Sequence, residues 1–192
     1  SYRTRFGKDW NFAINANLSR NQNEVLKIAN NEGIIHGESN VLFQGLDEMN
    51  RVEVGKPMGY FYGLKTDGIF QNAAEVAAGV QPSAQPGDVR FVDLNGDGKI
   101  DQNDKTNIGD PNPDYYYGFN LELNYKAFDL SIYTYGVGGN QNIYGVRDNS
   151  RPFYNYTTEI FDRWTGEGTS NTIPRVTYGN TENGNYTKFS DL

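Results

Sequence analysis

The chain contains no cysteine, which excludes a disulfide framework and any thiolate-ligated zinc. It has a single histidine, His36, so a histidine-based triad or zinc site would have to be built around that one ring. No Gly-x-Ser-x-Gly turn accompanies it, and a place in a surface loop is expected. Basic residues are the minority, 17 Lys and Arg against 24 Asp and Glu, for a formal net charge of −7. A nucleic-acid face needs clustered cations opposite the phosphates, so no nucleic-acid partner is expected. No run of about 18 apolar residues occurs, which excludes a membrane-spanning helix. Barrel strands stay open, because they need only about ten residues of alternating polarity. The opening stretch SYRTRFGKDW has no apolar run after its basic positions and does not read as a signal peptide. The chain is expected to be a piece of something longer.

Hydrophobic residues make up only 36% of the 192 positions, while aromatics reach 14%, with 14 Tyr, 11 Phe and 2 Trp. Few aliphatic side chains, many amphipathic rings and 22 Gly point to strands and long polar loops rather than a helical bundle. No internal repeat is visible.

Residues 8–20, KDWNFAINANLSR, alternate with period two. Trp10, Phe12, Ile14, Ala16 and Leu18 fall on one side; Asn11, Ala13, Asn15, Asn17 and Ser19 fall on the other, as in a strand. Over 116–125 and 128–136 the pattern recurs. Phe119, Leu121, Leu123 and Tyr125 alternate with Gly118, Asn120, Glu122 and Asn124, and after a short turn Phe128, Leu130 and Ile132 alternate with Asp129, Ser131 and Tyr133. This predicts a hairpin with one apolar and one polar face. Such a hairpin suits a soluble sandwich with one wet face. Two features favour a membrane barrel: aromatic rings (Trp10, Tyr116, Tyr117, Tyr125, Tyr133, Tyr135) bracketing the apolar face, and an Asn/Glu-rich opposite face suited to a watery lumen.

Between these strands lies a segment of about 21–114 with no evident strand ladder, and a second long polar segment covers about 137–192. Segments of this length are usually functional or external. The first holds a helix-like NAAEVAAGV over 72–80, and the second a helix-like YNYTTEIFDRW over 154–164. One tight turn and two very long connections on the opposite side match short periplasmic turns and long extracellular loops.

One stretch carries a specific chemistry. In FVDLNGDGKIDQNDKTNIGD, Asp93, Asn95, Asp97, Lys99, Asp101 and Asp104 stand at the ligand positions of a twelve-residue calcium loop, with Gly98 at the sharp turn and Ile100 at the apolar position. Hard cations want six to eight oxygens from carboxylates, amides and backbone carbonyls. Lys99 would give its carbonyl, and Asp101 would reach the ion directly or through water. Asp104 replaces the usual bidentate Glu, which leaves magnesium possible beside calcium. Prolines on both sides deny the loop the paired helices of an EF-hand, so a structural staple is expected rather than a calcium switch.

Taken in order, Gly68-Ile69-Phe70, Pro86-Gly87-Asp88, the loop beginning at Asp93, Ile108-Gly109-Asp110-Pro111-Asn112-Pro113-Asp114, Tyr135-Gly136, Asp162-Arg163-Trp164 and Ile173-Pro174-Arg175 resemble the SusC/RagA family of TonB-dependent outer-membrane transporters of Bacteroidota. The resemblance covers essentially the whole chain. It implies an all-β fold, namely a section of a large antiparallel outer-membrane barrel of about 22 strands. It also implies an N-terminal plug, a SusD-like surface lipoprotein as lid, and import of oligosaccharides or peptides driven by the TonB complex through the plug. Neither plug nor TonB box is read in these residues, so the chain would supply about three strands and two external loops, in contact with membrane lipid.

Two other functions fit the pattern. One is a secreted, calcium-stabilised β-rich domain for carbohydrate binding or adhesion. The other is a glycosidase, for which carboxylates are plentiful but no pair stands apart, and no catalytic residue is assigned. The loop aromatics Tyr60, Phe61, Tyr62, Phe153, Tyr154, Tyr156 and Trp164 could stack on sugar rings, pack against a lid, or fold the loops onto themselves.

Overall fold

A computed structural model describes residues 1–41, 45–145, 156–176, 185–186 and 188–191. Its strands are β1 (Tyr2–Phe6), β2 (Trp10–Arg20), β3 (Ile34–His36), β4 (Asn50–Glu53), β5 (Tyr60–Leu64), β6 (Thr66–Ile69), β7 (Val89–Phe91), β8 (Lys105–Gly109), β9 (Tyr115–Tyr125) and β10 (Phe128–Gly138). A short helix, α1 (Ala73–Ala78), lies between β6 and β7. The described residues are mostly strand and turn, with little helix, as an all-β fold requires.

The longest strands form one antiparallel sheet in the order β1-β2-β9-β10. Its register puts Trp10 opposite Tyr125, Phe12 opposite Leu123 and Ile14 opposite Leu121. Across the next pair, Tyr125 faces Phe128, Leu123 faces Leu130 and Leu121 faces Ile132. Cross-strand partners share a face, so these residues make one continuous apolar surface, with Trp10 and Tyr125 stacked at 4.2 Å between ring centroids. The other face carries Asn11, Asn15, Asn17, Asn120, Glu122, Asn124, Asp129 and Ser131.

β2, β9 and β10 lie where the alternation places strands; β1 is a fourth, paired to β2 with Phe6 opposite Trp10 and Tyr2 opposite Ile14. Its five residues alternate Tyr/Thr/Phe with two arginines, too short a run to stand out. The aromatic bracket needs correction. The register is unbroken along β9 and β10 and sets Tyr133 opposite Asn120, Tyr135 opposite Gly118 and Val137 opposite Tyr116. Tyr116, Tyr133 and Tyr135 therefore stand on the polar face, and only Trp10, Tyr117 and Tyr125 flank the apolar one.

Both tight turns, 7–9 and Lys126-Ala127, sit at the same end of this sheet, where the Lys126 N–H donates to the Asp9 carbonyl at 3.2 Å. Long connections leave from the opposite end, after Arg20 and Gly138 and before Tyr115.

The connection over 21–114 is not the ladderless loop expected from its sequence. It builds a second antiparallel sheet, β3-β4-β5-β8, and a two-stranded ribbon, β6-β7. These strands are three to five residues long, too short to display an alternation. Most of the buried apolar residues lie here: Leu64, Val89 and Phe91 pack together with Ile100 against them, while Tyr60, Ile69 and Phe70 are almost fully buried. In the sheet of long strands only Ala13 is a buried hydrophobic among the described residues.

Helix α1 starts where Asn72 accepts the Glu75 N–H on its side chain and Glu75 accepts the Gln71 N–H in return, a reciprocal cap that closes two free donors. The helix read over 154–164 is corrected to a single 3₁₀ turn, Thr158–Asp162; residues 154 and 155 lie outside the described residues. The chain's last described residues return to β5 and β6. The Leu64 N–H donates to the Phe189 carbonyl at 2.9 Å, and Thr66 donates to the Asp191 carboxylate from both N–H and hydroxyl.

Candidate functional site

The loop after β7 turns on Gly96 and Gly98, with φ of 74° and 81°, backbone that a Cβ would strain. Asp93 accepts the Gly96 N–H at 2.7 Å and the Gly98 N–H at 2.8 Å. Asn95 accepts from Asp97, and Asp97 accepts from Lys99. Downstream, Asp101 and Asp104 cap a 3₁₀ turn reciprocally. Asp104 is fully buried and closes the loop, accepting the Leu94 N–H at 2.9 Å and the Asp101 N–H at 2.8 Å. The loop is bounded by β7 and by this turn with β8, so neither side carries a long helix.

The six sequence-chosen residues thus share one tight loop. The side-chain oxygens of the five Asp and Asn residues among them face the loop's own amides, and among the described residues no three His, Cys, Asp or Glu groups draw together closely enough to hold a metal. The donor chemistry nevertheless suits a hard divalent cation. Four carboxylates occur within twelve positions, one of them at zero exposure, and among the described residues no Lys or Arg forms an ion pair with any of the four. A buried carboxylate without a cationic partner is costly.

A second polar node escaped sequence reasoning. Asp88, fully buried, accepts from the Arg175 guanidinium at 2.6 and 3.2 Å, from the Gln85 N–H at 2.9 Å and from Asn185 at 3.0 Å. Gly87 beside it has φ of 91°, and a Cβ there would come within 2.5 Å of the Trp164 ring. The signal was present in Pro86-Gly87-Asp88 and Ile173-Pro174-Arg175, two motifs whose opposite charges are partners in space.

His36 ends strand β3, paired with Arg51 and half exposed, in place of the surface loop expected from the sequence. Its Nδ1 lies 2.8 Å from Glu48 Oε2 and its Nε2 3.1 Å from Glu32 Oε1; Glu48 also pairs with Arg51. Hydrogen bonds to Glu32 and then Glu48 raise the imidazole pKa above its ordinary 6.5. The loop aromatics mostly fold inward. Tyr60 is buried and donates to Glu53 at 2.5 Å; the Arg51 guanidinium covers Tyr62 at 3.5 Å. Phe61 meets Phe189 edge-on, and the Trp164 indole donates to Gln71. Tyr156 stays exposed, while Phe153 and Tyr154 lie outside the described residues.

At the end of the main sheet from which the long connections leave, a cleft of about 340 Å³ opens among Asn21, Gln22, Asn23, Asp110, Asn112 and Tyr116, together with Pro57, Met58, Pro113 and Asp114.

No protein-family model matches the sequence. The chain is 31% identical to "TonB-dependent receptor P3" of Formosa agariphila over 172 residues, covering 88% of this chain and 17% of that protein. It is 32% identical to "TonB-dependent receptor P26" of the same organism over 185 residues, covering 88% of this chain and 19% of the relative. Among solved structures it is similar to that described as the structure of the RagAB peptide transporter, with TM-score 0.59 and 19% identity over 95% of this chain and 20% of the other; at that identity the likeness is one of fold. The chain thus spans less than a fifth of the length of these two curated relatives. Motif order, fold and relatives agree: the chain belongs to the TonB-dependent receptor family, to which its SusC/RagA-like motifs point.

Proposed function

We propose that the chain is a wall-and-loop section of an outer-membrane barrel that imports oligosaccharides or peptides with a SusD-like surface lipoprotein and TonB energy. The two-faced sheet carries the proposal. Strands β2, β9 and β10 are each 11 residues long, the length a tilted strand needs to cross a bilayer. Their apolar face has no protein layer over it among the described residues, and Leu18, Phe128, Leu130 and Ile132 are 47–77% exposed. Lipid would cover that face, and the Asn-rich face would line a watery lumen. Backbone ladders satisfy the polar main chain, as a bilayer demands. The short turns would then be periplasmic, and the folded 21–114 segment external.

In this arrangement the Asp93–Asp104 loop would take calcium as a staple within the external segment, tying β7 to β8. The membership in the TonB-dependent receptors supports the transport role, and the fold shared with a peptide transporter supports a barrel partnered at its mouth. The test uses the full-length receptor in its own cell. Outer-membrane fractions should contain it, deletion should abolish uptake of a labelled oligosaccharide or peptide, and a tag on it should co-purify a surface lipoprotein. Recovery in a soluble fraction without detergent would refute the proposal.

A further inference from the structure

The polar face of the main sheet is not uniform. Towards the turns its rows carry charge, with Arg3 and Arg5 on β1, Glu122 on β9 and Asp129 on β10. Towards the long connections three successive rows carry none: Asn15–Asn120–Tyr133, Asn17–Gly118–Tyr135 and Ser19–Tyr116–Val137. In these rows Tyr133 and Tyr135 are 65% and 90% exposed, rings held up beside the carboxamides of Asn15, Asn17 and Asn120, the hydroxyl of Ser19 and the half-exposed Val137. Neither hydroxyl forms a hydrogen bond with the described residues. Tyr116, on the same face, also lines the 340 Å³ cleft at the rim, so face and cleft are continuous. The cleft adds the amides of Asn21, Gln22, Asn23 and Asn112 and the carboxylates of Asp110 and Asp114, with no Lys or Arg among the described residues that line it.

We propose that Tyr116, Tyr133 and Tyr135, with Asn15, Asn17 and Asn120, form a binding track for an uncharged oligosaccharide that continues into the rim cleft. The proposal rests on the barrel reading, which makes this face lumenal, and narrows its cargo. A pyranose ring offers a C–H face and a fringe of hydroxyls. Exposed tyrosine rings supply apolar platforms for the first, and carboxamides, each both donor and acceptor, supply partners for the second. Anionic glycans meet no cation in the rows or the cleft and would approach Asp110 and Asp114 at a cost. An extended peptide binds a sheet by adding to a free edge. Here β2 and β9 are each paired on both sides, so the centre of the track offers no free main-chain ladder.

The experiment titrates the full-length detergent-solubilised receptor by calorimetry with cellohexaose, xylohexaose, mannohexaose and maltohexaose, with hexagalacturonate, and with hexa-alanine. At least one uncharged hexasaccharide should bind. Tyr133→Ala and Tyr135→Ala should each weaken it about tenfold, as loss of an aromatic anchor does, while Tyr135→Phe, which keeps the ring, should stay within about threefold. Asn17→Ala and Asn120→Ala should weaken it too, providing variants that leave the rings in place. Hexagalacturonate should bind less tightly than the neutral sugar. Unchanged affinity in the alanine variants overturns the proposal, as does a lack of binding by every uncharged hexasaccharide. If hexa-alanine binds instead and the variants lose it, the substrate class is wrong while the uptake role stands. Absence of the receptor from the outer membrane would strike the uptake role itself.

Discussion

Arg175 donates two hydrogen bonds to the carboxylate of Asp88 across 87 residues of sequence, and Asp88 is completely shielded from solvent. The pair pins the segment after the 3₁₀ turn to the ribbon that precedes the candidate metal loop. Removing one partner leaves a buried charge alone, at a cost of about 3–5 kcal/mol. Arg175→Met should therefore destabilise the folded 21–114 segment strongly, and the double variant Arg175→Met with Asp88→Asn should recover part of that loss. Hydrogen exchange in the full-length receptor reads this at Phe70 and Val89, whose amides are held by Asp88 and Asn185. If exchange at both amides is as slow in Arg175→Met as in wild type, the node does not hold the segment.

The candidate calcium loop gives a second measurable consequence. A cation that binds only the folded loop stabilises it by about 2.7 kcal/mol when present at a hundredfold excess over its Kd. The melting temperature of the folded 21–114 segment should rise with added calcium and fall with chelator. In Asp93→Ala or Asp97→Ala the melting temperature should no longer respond to calcium or to chelator. A wild-type protein indifferent to chelator would refute the staple. Asp93, Asp97 and Asp104 all fix loop amides as well, those of Gly96 and Gly98, of Lys99, and of Leu94 and Asp101. Each alanine variant should therefore also lose stability without metal, and it is the lost calcium response that reads the staple.

How much of this was legible in the sequence depends on the range of the signal. Alternation in an 11-residue strand is a local signal, so the sheet built on Leu121, Leu123, Leu130 and Ile132 shows in the sequence, and so does the helix-like run over 72–80 that holds α1. The ligand spacing of the Asp93–Asp104 loop is local too. The three-residue strands β3 and β7 are held by partners far along the chain, and nothing in IIH or VRF announces that. Faces were legible only where the register was counted through: Tyr133 and Tyr135 look like membrane-interface rings until Asn120 and Gly118 are found opposite them. The Asp88–Arg175 pair was written in two motifs, but their meeting depends on the fold between them.

His36 predicts a pH dependence whose direction follows from its neighbours. Facing it are Glu32 ahead of β3, Glu48 ahead of β4, and Arg51 on β4, its register partner, which shares Glu48. Its folded pKa is raised above 6.5, so the clasp is fully formed below the unfolded value and is lost as pH rises through the folded one. The pairing of β3 with β4 should therefore be tighter at pH 5.5 than at pH 8.5. An imidazole titration followed by NMR should have its midpoint above 6.5 in wild type and nearer 6.5 in Glu32→Gln. Because the ring is half exposed, the effect on global stability should be small. An unshifted midpoint in wild type would remove the clasp.

The two faces of the main sheet can be separated by a single charge. Leu121, opposite both Ile14 and Ile132, sits near the middle of the apolar face, while Ser131, opposite Glu122, lies on the polar one. If lipid covers the apolar face, Leu121→Arg places a cation near the bilayer midplane, at a cost of about 2–4 kcal/mol. Ser131→Arg places the same cation in water beside a carboxylate and should cost almost nothing. Full-length Leu121→Arg should accumulate less in the outer membrane and show reduced heat-modifiable mobility on gels, with Ser131→Arg matching wild type. A soluble sandwich that buried its apolar face against protein would also reject Leu121→Arg. In a barrel wall, however, conservative enlargement such as Leu121→Phe should be accepted freely, since fluid lipid yields where a packed core does not. Equal assembly of Leu121→Phe and wild type, beside failure of Leu121→Arg, is the pattern that lipid contact requires.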